Sequence, residues 1–212
     1  MRRILLLIAL LTAALPVRAQ SDVPGQFDYY LLSLSWSPTW CALTGDARHD
    51  PQCDPGRGLT FTVHGLWPQY EQGYPSDCFT TKPDPSRADT AAMADIMGGA
   101  GLAFYEWRKH GRCSGLSARA YFATLRRAYS SVTLPPVFSQ ISRDLTLDAS
   151  VVQDAFLEVN RQLSPGGVTV TCKQGMIQEL RICLTTDLAP RPCAPDVARD
   201  CTLPNAELDA PR

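Results

Sequence analysis

The chain has 212 residues, of which 45% are hydrophobic, and it carries 20 lysines and arginines against 21 aspartates and glutamates. This near balance of charge excludes a broad basic surface for polyanions, so any nucleic acid would have to bind at a local site. A chain of this length can bury its own hydrophobic core, and we predict one domain over residues 20–201.

The first residues, MRRILLLIALLTAALPVRAQ, have the form of a secretory signal peptide. Two arginines precede a run of about a dozen apolar residues, which is too short for a spanning helix, and a small-residue site follows. We expect residues 1–19 to be removed, which leaves 17 basic and 21 acidic residues. The protein is then expected to be secreted or periplasmic, with no membrane attachment. A retained signal anchor or a lipid tether is the alternative.

The eight cysteines would meet an oxidising compartment after export. An even number of cysteines in an exported protein favours four disulfides over free thiols. The count alone does not decide which cysteines pair, but it predicts a domain stapled by disulfides.

Two segments in the first third of the chain predict β-strands. Residues 27–36, FDYYLLSLSW, are rich in aromatic and apolar side chains and indicate a buried strand. Residues 59–64, LTFTVH, alternate between apolar and polar side chains, which places His64 on the polar face of its strand. Pro68 and the loop-forming residues after it predict that the strand gives way to a loop there.

Apolar side chains recur at helical spacing in several later segments. The predicted helices are residues 89–97, 102–110, 117–129 and 151–163. Two strands follow at 168–172 and 177–184, and the residues between them give a hairpin signal. Helices grouped between strands predict an α+β fold with an antiparallel sheet. Residues 202–212 lack apolar periodicity and predict a loose tail.

The segment EWRKHGRC, residues 106–113, concentrates charge on one predicted helix. Glu106, Lys109 and His110 stand at positions i, i+3 and i+4 and share a face, whereas Arg108 points elsewhere. The three side chains can therefore converge on one ligand. The alternative is a solvated helix face, on which Glu106 pairs with Lys109 for about a few tenths of a kcal/mol.

The chain contains three histidines. His49 lies in a polar loop and is expected at the surface, whereas His64 ends a strand and His110 ends the charged helix. Two imidazoles with an ammonium and a carboxylate form a metal-free set for phosphoryl transfer, in which one imidazole removes a proton and the other supplies one. RNA suits such a set because its 2′-hydroxyl is a built-in nucleophile.

The same side chains allow a rival hypothesis, a divalent-metal site made of two histidines and one carboxylate. His64, Glu106 and His110 would be the ligands, because Glu and His at i, i+4 on a helix have workable spacing. Lys109 disfavours this site, since a cation on that face repels a metal ion. We therefore expect neither a metal nor another cofactor.

Two segments resemble the active-site motifs of a known family. FTVHGLWPQY, residues 61–70, and YEWRKHGRC, residues 105–113, are similar to the two active-site segments of the ribonuclease T2 family, the acid endoribonucleases of fungi, plants and bacteria. Both motifs are long, they occur in the family's order, and each lies beside a cysteine. The similarity extends to FDYYLLSLSWSPTWC, GYPSDC and TCKQGMIQELRICL, and covers most of residues 27–201.

The resemblance implies a metal-independent endoribonuclease that acts on single-stranded RNA. His110 would be the general base on the 2′-hydroxyl, and His64 the general acid on the departing 5′-oxygen. Glu106 and Lys109 would stabilise the pentacoordinate phosphorane. The histidines would then exchange roles as water opens the 2′,3′-cyclic phosphate to a 3′-phosphate. Many family members have histidine where this chain has Tyr105, whose hydroxyl would contact the phosphate without bringing a charge.

The family's disulfides, transferred to the matching cysteines, imply three pairs and leave two further cysteines to form the fourth. The implied disulfides are Cys78–Cys113, Cys172–Cys201, Cys183–Cys193 and Cys41–Cys53. The first of these would tie the catalytic helix to the loop after the His64 strand.

Aromatic residues near His64 are candidates for stacking on unpaired bases. Trp67 and Tyr70 follow it directly in the sequence, and Tyr74 and Trp36 are further candidates, although Trp36 is more typical of a buried core residue. Few strong polar residues accompany them, which predicts low base specificity.

A competing hypothesis is an exported, disulfide-stapled protein that binds RNA or another partner without cleaving it. The complete set of acid, base and cation disfavours this, because a binding protein has no use for an acid and base pair. We expect a monomer, and the sequence indicates no particular inhibitor partner.

Overall fold

The computed structural model describes residues 22–212, and a six-stranded sheet runs through its centre. The predicted signal peptide, residues 1–19, lies outside the described residues. The strands are β1 (Tyr29–Trp36), β2 (Phe61–Gln69), β3 (Leu145–Leu147), β4 (Val168–Lys173), β5 (Met176–Leu184) and β6 (Ala206–Leu208). Their order is β2-β1-β5-β6-β3, with β4 also paired to β5. The strand pairs are antiparallel apart from that of β5 with β6, and the α+β prediction is confirmed.

Most of the α-helices lie between β2 and β4 in the chain. They are α1 (Ser37–Trp40), α2 (Arg87–Ala91), α3 (Ala94–Met97), α4 (Ala100–Lys109), α5 (Ala118–Ser130) and α6 (Ser150–Val159). Short π and 3₁₀ segments supplement them at Cys41–Gly45, Asp46–Arg48, Pro51–Cys53, Gly111–Ser114, Pro136–Gln140 and Pro165–Gly167. Within residues 22–212, none of these helices combines the length and the apolar character that crossing a bilayer requires.

The first predicted helix, residues 89–97, is divided into α2 and α3. The second of these ends before Gly98, which takes a left-handed conformation with φ 77° that favours glycine. The chain can then turn into α4, which begins at Ala100, two residues before its predicted start, and ends at Lys109.

The later two helices begin near their predicted starts. The Ser117 side chain accepts a hydrogen bond from the Ala120 backbone N–H, so this serine caps α5 as its position suggested. α6 is shorter than predicted, because Asn160 leaves the helical conformation with φ −122° and ψ 68°. Leu163 therefore reaches the core from a loop and not from the helix.

β1 is the strand on which the core is built. Every residue of it is buried between β2 and β5, which confirms the buried strand predicted at 27–36. Its last residue belongs to an aromatic cluster in which neighbouring ring centroids lie 4.9 to 5.8 Å apart. This cluster consists of Trp36, Phe61, Phe138 and Phe156.

β2 continues through Pro68 to Gln69, so the predicted change to a loop at the proline is wrong. Pro68 lies opposite Tyr30 of β1. A proline has no N–H to donate, which excludes it from most strands, but β2 is at the edge of the sheet. The missing donor therefore costs no hydrogen bond to a second neighbouring strand.

A β-bulge interrupts the pairing of β1 with β2. Ser33 lies opposite Gly65 and Leu34 lies opposite Val63, so His64 is the extra residue. A bulge bends its strand and changes the direction of the side chain. His64 is thereby directed toward the cleft described below.

β4 and β5 form the predicted hairpin. The turn between them consists of Gln174 with φ 52° and Gly175 with φ 88°. Two consecutive residues with positive φ are typical of the tight turns that match the twist of paired strands. The hairpin prediction is confirmed, with β4 one residue longer and β5 starting one residue earlier than predicted.

The structure contains four disulfides, and all four implied pairings are confirmed. They are Cys41–Cys53, Cys78–Cys113, Cys172–Cys201 and Cys183–Cys193. Cys78–Cys113 joins the loop after β2 to the 3₁₀ turn after α4, as the resemblance implied.

The predicted loose tail, residues 202–212, is wrong, because this segment completes the sheet. β6 pairs with β3, and the Ala206 and Leu208 side chains are fully buried. The Trp36 indole N–H donates a hydrogen bond to the Asp209 backbone oxygen over 3.0 Å. Three residues of alternation are too few to stand out in a sequence, and the partner strand is distant along the chain.

We expect Leu208→Ala to destabilise the protein by about 2–5 kcal/mol, because it removes a buried side chain from the core. Urea unfolding with the disulfides intact measures this loss. Leu203→Ala is the matched control in the same segment, since that side chain is 39% exposed, and it should change stability by less than about 0.5 kcal/mol. Equal small effects from both substitutions would contradict the packing described for β6.

Candidate active site

A cleft of about 400 Å³ lies where β2, β5 and the end of α4 meet. It gathers all four predicted catalytic residues, two of the three predicted substrate-binding residues and one further stacking candidate. These are His64, Glu106, Lys109, His110, Tyr105, Trp67 and Tyr74. Its wall also contains side chains that the sequence analysis did not select, among them Gln69, Arg181 and Asp196.

His64 projects from the bulge of β2 and lies between two carboxylates. Its Nδ1 is 2.5 Å from Oε1 of Glu179, and its Nε2 is 3.6 Å from Oε1 of Glu106. Nδ1 is therefore engaged by a short hydrogen bond to a residue outside the cleft wall, while Nε2 lies near Glu106, which lines the cleft.

Glu179 was not selected by sequence reasoning, although it contacts the predicted acid directly. It lies on β5, is 2% exposed, and uses its second oxygen to accept hydrogen bonds of 2.9 and 2.8 Å from Nε and Nη2 of Arg181. The available signal was a carboxylate within the apolar strand IQELRICL. A charged residue in a buried strand needs partners, and here it has two.

The Glu179 and His64 charges stabilise each other. Burial by itself would raise the pKa of Glu179, but the hydrogen bond and the charge of His64, together with Arg181, lower it to about 2. Burial likewise lowers the pKa of His64, but the hydrogen bond and the charge of Glu179, followed by the charge of Glu106, raise it above the ordinary value. His64 is therefore protonated at neutral pH more fully than a free histidine.

Glu106 is 1% exposed and lies on the face of α4 that was predicted to carry chemistry. Its Oε2 accepts a hydrogen bond of 2.6 Å from the Trp67 indole N–H. Burial raises the pKa of Glu106 to about 7, against the opposing effects of His64 and Trp67. Gly65 leaves room for this arrangement, because a Cβ there would overlap the Glu106 and Trp67 side chains.

His110 follows the last residue of α4 as its C-cap. Its backbone N–H donates to the Glu106 backbone oxygen and its own oxygen accepts from Cys113, each over 2.9 Å. His110 is 6% exposed, and its buried Nδ1 has no hydrogen-bond partner among residues 22–212. Burial lowers the pKa of His110 to about 4, and the charges of Lys109 and His64 act in the same direction. His110 is therefore neutral over most of the pH range.

Trp67 lies between the two imidazoles. Its ring centroid is 5.0 Å from that of His64 and 5.1 Å from that of His110. The separation of the two imidazole rings cannot exceed the sum of these distances, so both rings border one cleft. The arrangement offers a protonated imidazole that can release a proton and a neutral imidazole that can accept one.

The side chains at the mouth of the cleft are exposed. Tyr105 and Tyr74 are 53% and 54% exposed, and the Lys109 ammonium lies 5.9 Å from the centre of the Tyr105 ring. The Tyr105 hydroxyl raises the pKa of Lys109, which is charged in any case at neutral pH. Arg108 is exposed and is not part of the cleft wall, as the helical spacing predicted.

Other predicted site residues lie elsewhere. Tyr70 is outside the cleft wall, and its hydroxyl donates a hydrogen bond of 3.1 Å to Asp22, so the structure does not place it for substrate binding. Trp36 is fully buried in the core, which decides against stacking on bases. His49 is exposed in a loop with φ 51°, as expected for a surface residue.

The three side chains of the hypothetical metal site line one cleft, but their ligand atoms are not close enough together to share an ion. Among residues 22–212, the single group of three His, Cys, Asp or Glu side chains whose ligand atoms lie within 4.8 Å of one another is Cys41, Asp46 and Cys53. Its two cysteines are joined in a disulfide and cannot act as thiolate ligands. His64, Glu106 and His110 do not form such a group.

Comparison with known proteins finds relatives that are named ribonucleases. It is 42% identical over 120 residues to a ribonuclease of Aeromonas hydrophila, an alignment that covers 55% of this chain and 53% of the relative. It is 32% identical over 165 residues to ribonuclease I of Escherichia coli, covering 58% of this chain and 61% of the relative. The chain thus spans about half the length of the first relatives it matches.

Solved structures share the fold. An RNase-related protein from Calystegia sepium superposes with a TM-score of 0.64 at 21% identity, and RNase NT in complex with 5′-AMP with a TM-score of 0.61 at 19% identity. Each comparison covers 88% of this chain and 98% of the other. The sequence model of the ribonuclease T2 family matches residues 27–193, which include both histidines of the cleft. The chain therefore belongs to the ribonuclease T2 family.

Proposed function

We propose that the protein is an endoribonuclease that cleaves single-stranded RNA without a metal ion, first to a 2′,3′-cyclic phosphate and then to a 3′-phosphate. The observation that carries this proposal is a pair of imidazoles on one cleft whose pKa values are shifted in opposite directions. His110 is lowered to about 4, and His64 is raised. An acid and a base are thus available together near neutral pH.

In the first step, neutral His110 accepts the proton of the 2′-hydroxyl as the 2′-oxygen forms a bond to phosphorus. Protonated His64 gives its Nε2 proton to the 5′-oxygen as the bond from phosphorus to that oxygen breaks. Each imidazole thereby takes the protonation state that the other began with. In the second step His64 removes a proton from water as the water oxygen forms a bond to phosphorus. His110 returns its proton to the 2′-oxygen as the bond from phosphorus to that oxygen breaks, which restores the enzyme.

Lys109 and Glu106 act on the phosphoryl oxygens. The ammonium of Lys109, which lines the cleft, stabilises the charge that develops on them. Glu106, whose pKa burial raises to about 7, is protonated in the acid range. It can then donate a hydrogen bond to a phosphoryl oxygen, where a carboxylate would repel it.

Substrate recognition is proposed to depend on stacking more than on base edges. Trp67, Tyr74 and Tyr105 present aromatic rings in the cleft, and base stacking tolerates any base because every base has a π face. This supports low base specificity. The Tyr105 hydroxyl is proposed to contact the phosphate, without the charge that a histidine would add there.

The disulfides and the N-terminal sequence bear on where the protein acts. Four disulfides are typical of proteins that fold outside the cytosol, and the first residues of the chain have the form of a signal peptide. We propose a secreted or periplasmic protein that acts as a monomer.

We expect the purified, oxidised protein to cleave single-stranded RNA in the presence of a chelator and to leave 2′,3′-cyclic phosphate ends. End-group analysis of the products measures this. His110→Ala should lower the rate by at least about 10²-fold, because the general base is lost. His49→Ala, which changes an exposed loop residue, is the matched control and should retain full activity.

Three outcomes separate the hypotheses. Cleavage in chelator supports the proposal, whereas cleavage that is lost in chelator and restored by zinc would favour the metal site. Intact RNA under both conditions would favour a protein that binds without cleaving. Substantial residual cleavage by His110→Ala would remove this histidine from the mechanism.

We expect a bell-shaped dependence of kcat/KM on pH. Activity should rise as His110 loses its proton near pH 4 and fall as His64 loses its proton above its ordinary pKa. Deprotonation of Glu106 near pH 7 should add to the alkaline decline. Initial rates on a dinucleotide from about pH 3 to about pH 9, a range that spans both titrations, give the profile. Activity that still increases at the alkaline end would contradict the expectation.

Two neighbouring cations on α4 offer a matched comparison. Lys109→Ala should reduce kcat on RNA by about 10²-fold, because the charge that stabilises the phosphorane is removed. Arg108→Ala removes an equal charge from the adjacent exposed position outside the cleft wall and should have little effect. Steady-state kinetics of both variants decide the matter, and equal losses would indicate a general electrostatic effect instead of a local one.

A further inference from the structure

The sheet brings His64 and Glu179 together across an intervening strand. β2 and β5 lie on opposite sides of β1, so their backbones are about 10 Å apart. Ser35 of β1 lies opposite Glu179, and Ser33 lies opposite Arg181. These small side chains leave space above β1 in which the imidazole and the carboxylate can meet.

We infer that Glu179, held in place by Arg181, is a positioning residue that orients the His64 ring and fixes which of its nitrogens serves the reaction. This inference rests on the proposed function and assigns a part in it to two residues of β5. Glu179 is not part of the cleft wall. It acts through the hydrogen bond of 2.5 Å between its Oε1 and Nδ1 of His64.

Each oxygen of Glu179 has a separate partner. Oε1 contacts His64, and Oε2 accepts both hydrogen bonds from Arg181. A carboxylate that is 2% exposed needs such partners, because an unpaired buried charge is strongly destabilising. The guanidinium thus fixes the direction of the carboxylate, and the carboxylate fixes the direction of the ring.

The contact determines how the proton is carried. When His64 is protonated, Nδ1–H donates to Glu179 and Nε2–H faces the cleft. Transfer of the Nε2 proton to the departing 5′-oxygen, as its bond to phosphorus breaks, leaves the hydrogen on Nδ1. Nε2 is then the free base that the second step requires. One hydrogen bond therefore keeps the ring in the useful tautomer throughout the cycle.

The charged groups around His64 come from several elements. Glu179 and Arg181 face it from β5, and Glu106 faces it from α4. Asp50 and Lys173 line two smaller cavities that His64 also borders. Glu179 provides the short hydrogen bond, so its removal should change the pKa of His64 more than the loss of any other of these groups.

The first test is the titration of His64 in the intact protein by NMR, which needs no substrate. The chain has three histidines, so single His→Ala variants suffice to assign the ring signals. Glu179→Gln should lower the pKa of His64, because the charge that favours the imidazolium is lost. Arg181→Gln should shift it in the opposite direction, since the guanidinium charge disfavours the imidazolium.

The second test separates a role in acid catalysis from a merely structural role. Glu179→Gln should lower kcat on RNA by about 10²-fold with little change in KM, and should move the alkaline limb of the pH profile to lower pH. On a ribonucleoside 3′-(4-nitrophenyl phosphate), the leaving group departs without protonation. The variant should therefore cleave this substrate at nearly the wild-type rate.

Glu207→Gln is the matched control, because it neutralises an exposed carboxylate on β6 of the same sheet. It should leave the cleavage rates of both substrates and the pKa of His64 unchanged. If Glu179→Gln does not fold, Arg181→Gln provides the readout, with an alkaline limb moved to higher pH. An unchanged His64 pKa in the folded variants, or equal losses on both substrates, would overturn the inference.

Failure of this inference differs from failure of the proposed function. If the wild-type protein does not cleave RNA, the proposed function is wrong, whatever the titrations give. If the wild-type protein cleaves RNA and Glu179→Gln retains its rate and its pH profile, the function stands and the positioning role is lost.

Discussion

The hydrogen bond between His64 and Glu179 depends on three neighbouring strands at once. β1 has to lie between β2 and β5, its side chain at Ser35 has to be small, and β2 has to bulge at His64. A regular strand would turn the imidazole away, and a large residue on β1 would separate it from the carboxylate. The buried central strand therefore does more than fill the core, because it sets the distance across which the acid is held.

The pKa values of the two buried imidazoles shift in opposite directions, because carboxylates offset the effect of burial at His64 but not at His110. His64 loses water but gains Glu179 and Glu106, so its cationic form is favoured. His110 loses water beside Lys109 and has a buried Nδ1 with no partner in the described part of the chain, so its neutral form is favoured. An apolar neighbour, Trp67, contacts both rings and belongs to both environments. One low-dielectric cleft thus creates the difference in proton affinity that acid and base catalysis requires.

Features of the fold and the site could be predicted from the sequence where they depend on residues close together in the chain. The i, i+3, i+4 spacing placed Glu106, Lys109 and His110 on one face, and this sorting is confirmed, as are the hairpin and the disulfides that the resemblance implied. Determinants that depend on distant strands were not predictable in this way. Glu179 finds its partner 115 residues away, and β6 joins a strand of three residues. Such pairings leave no periodic signal, because a single contact or a short strand shows no repeat.

The position of His110 depends on how the end of α4 is anchored. A helix end frays unless its last carbonyls are bonded, and catalysis requires distances held within a fraction of an ångström. Here the Lys109 oxygen accepts a hydrogen bond of 2.8 Å from the Asp77 backbone N–H, and the adjacent Cys78 is joined to Cys113. The loop after β2 is thus fastened to the helix end on both sides of His110. β2 also carries His64. Both imidazoles are therefore anchored to the same strand, His64 directly and His110 through the fastened loop, and this limits changes in the distance between them.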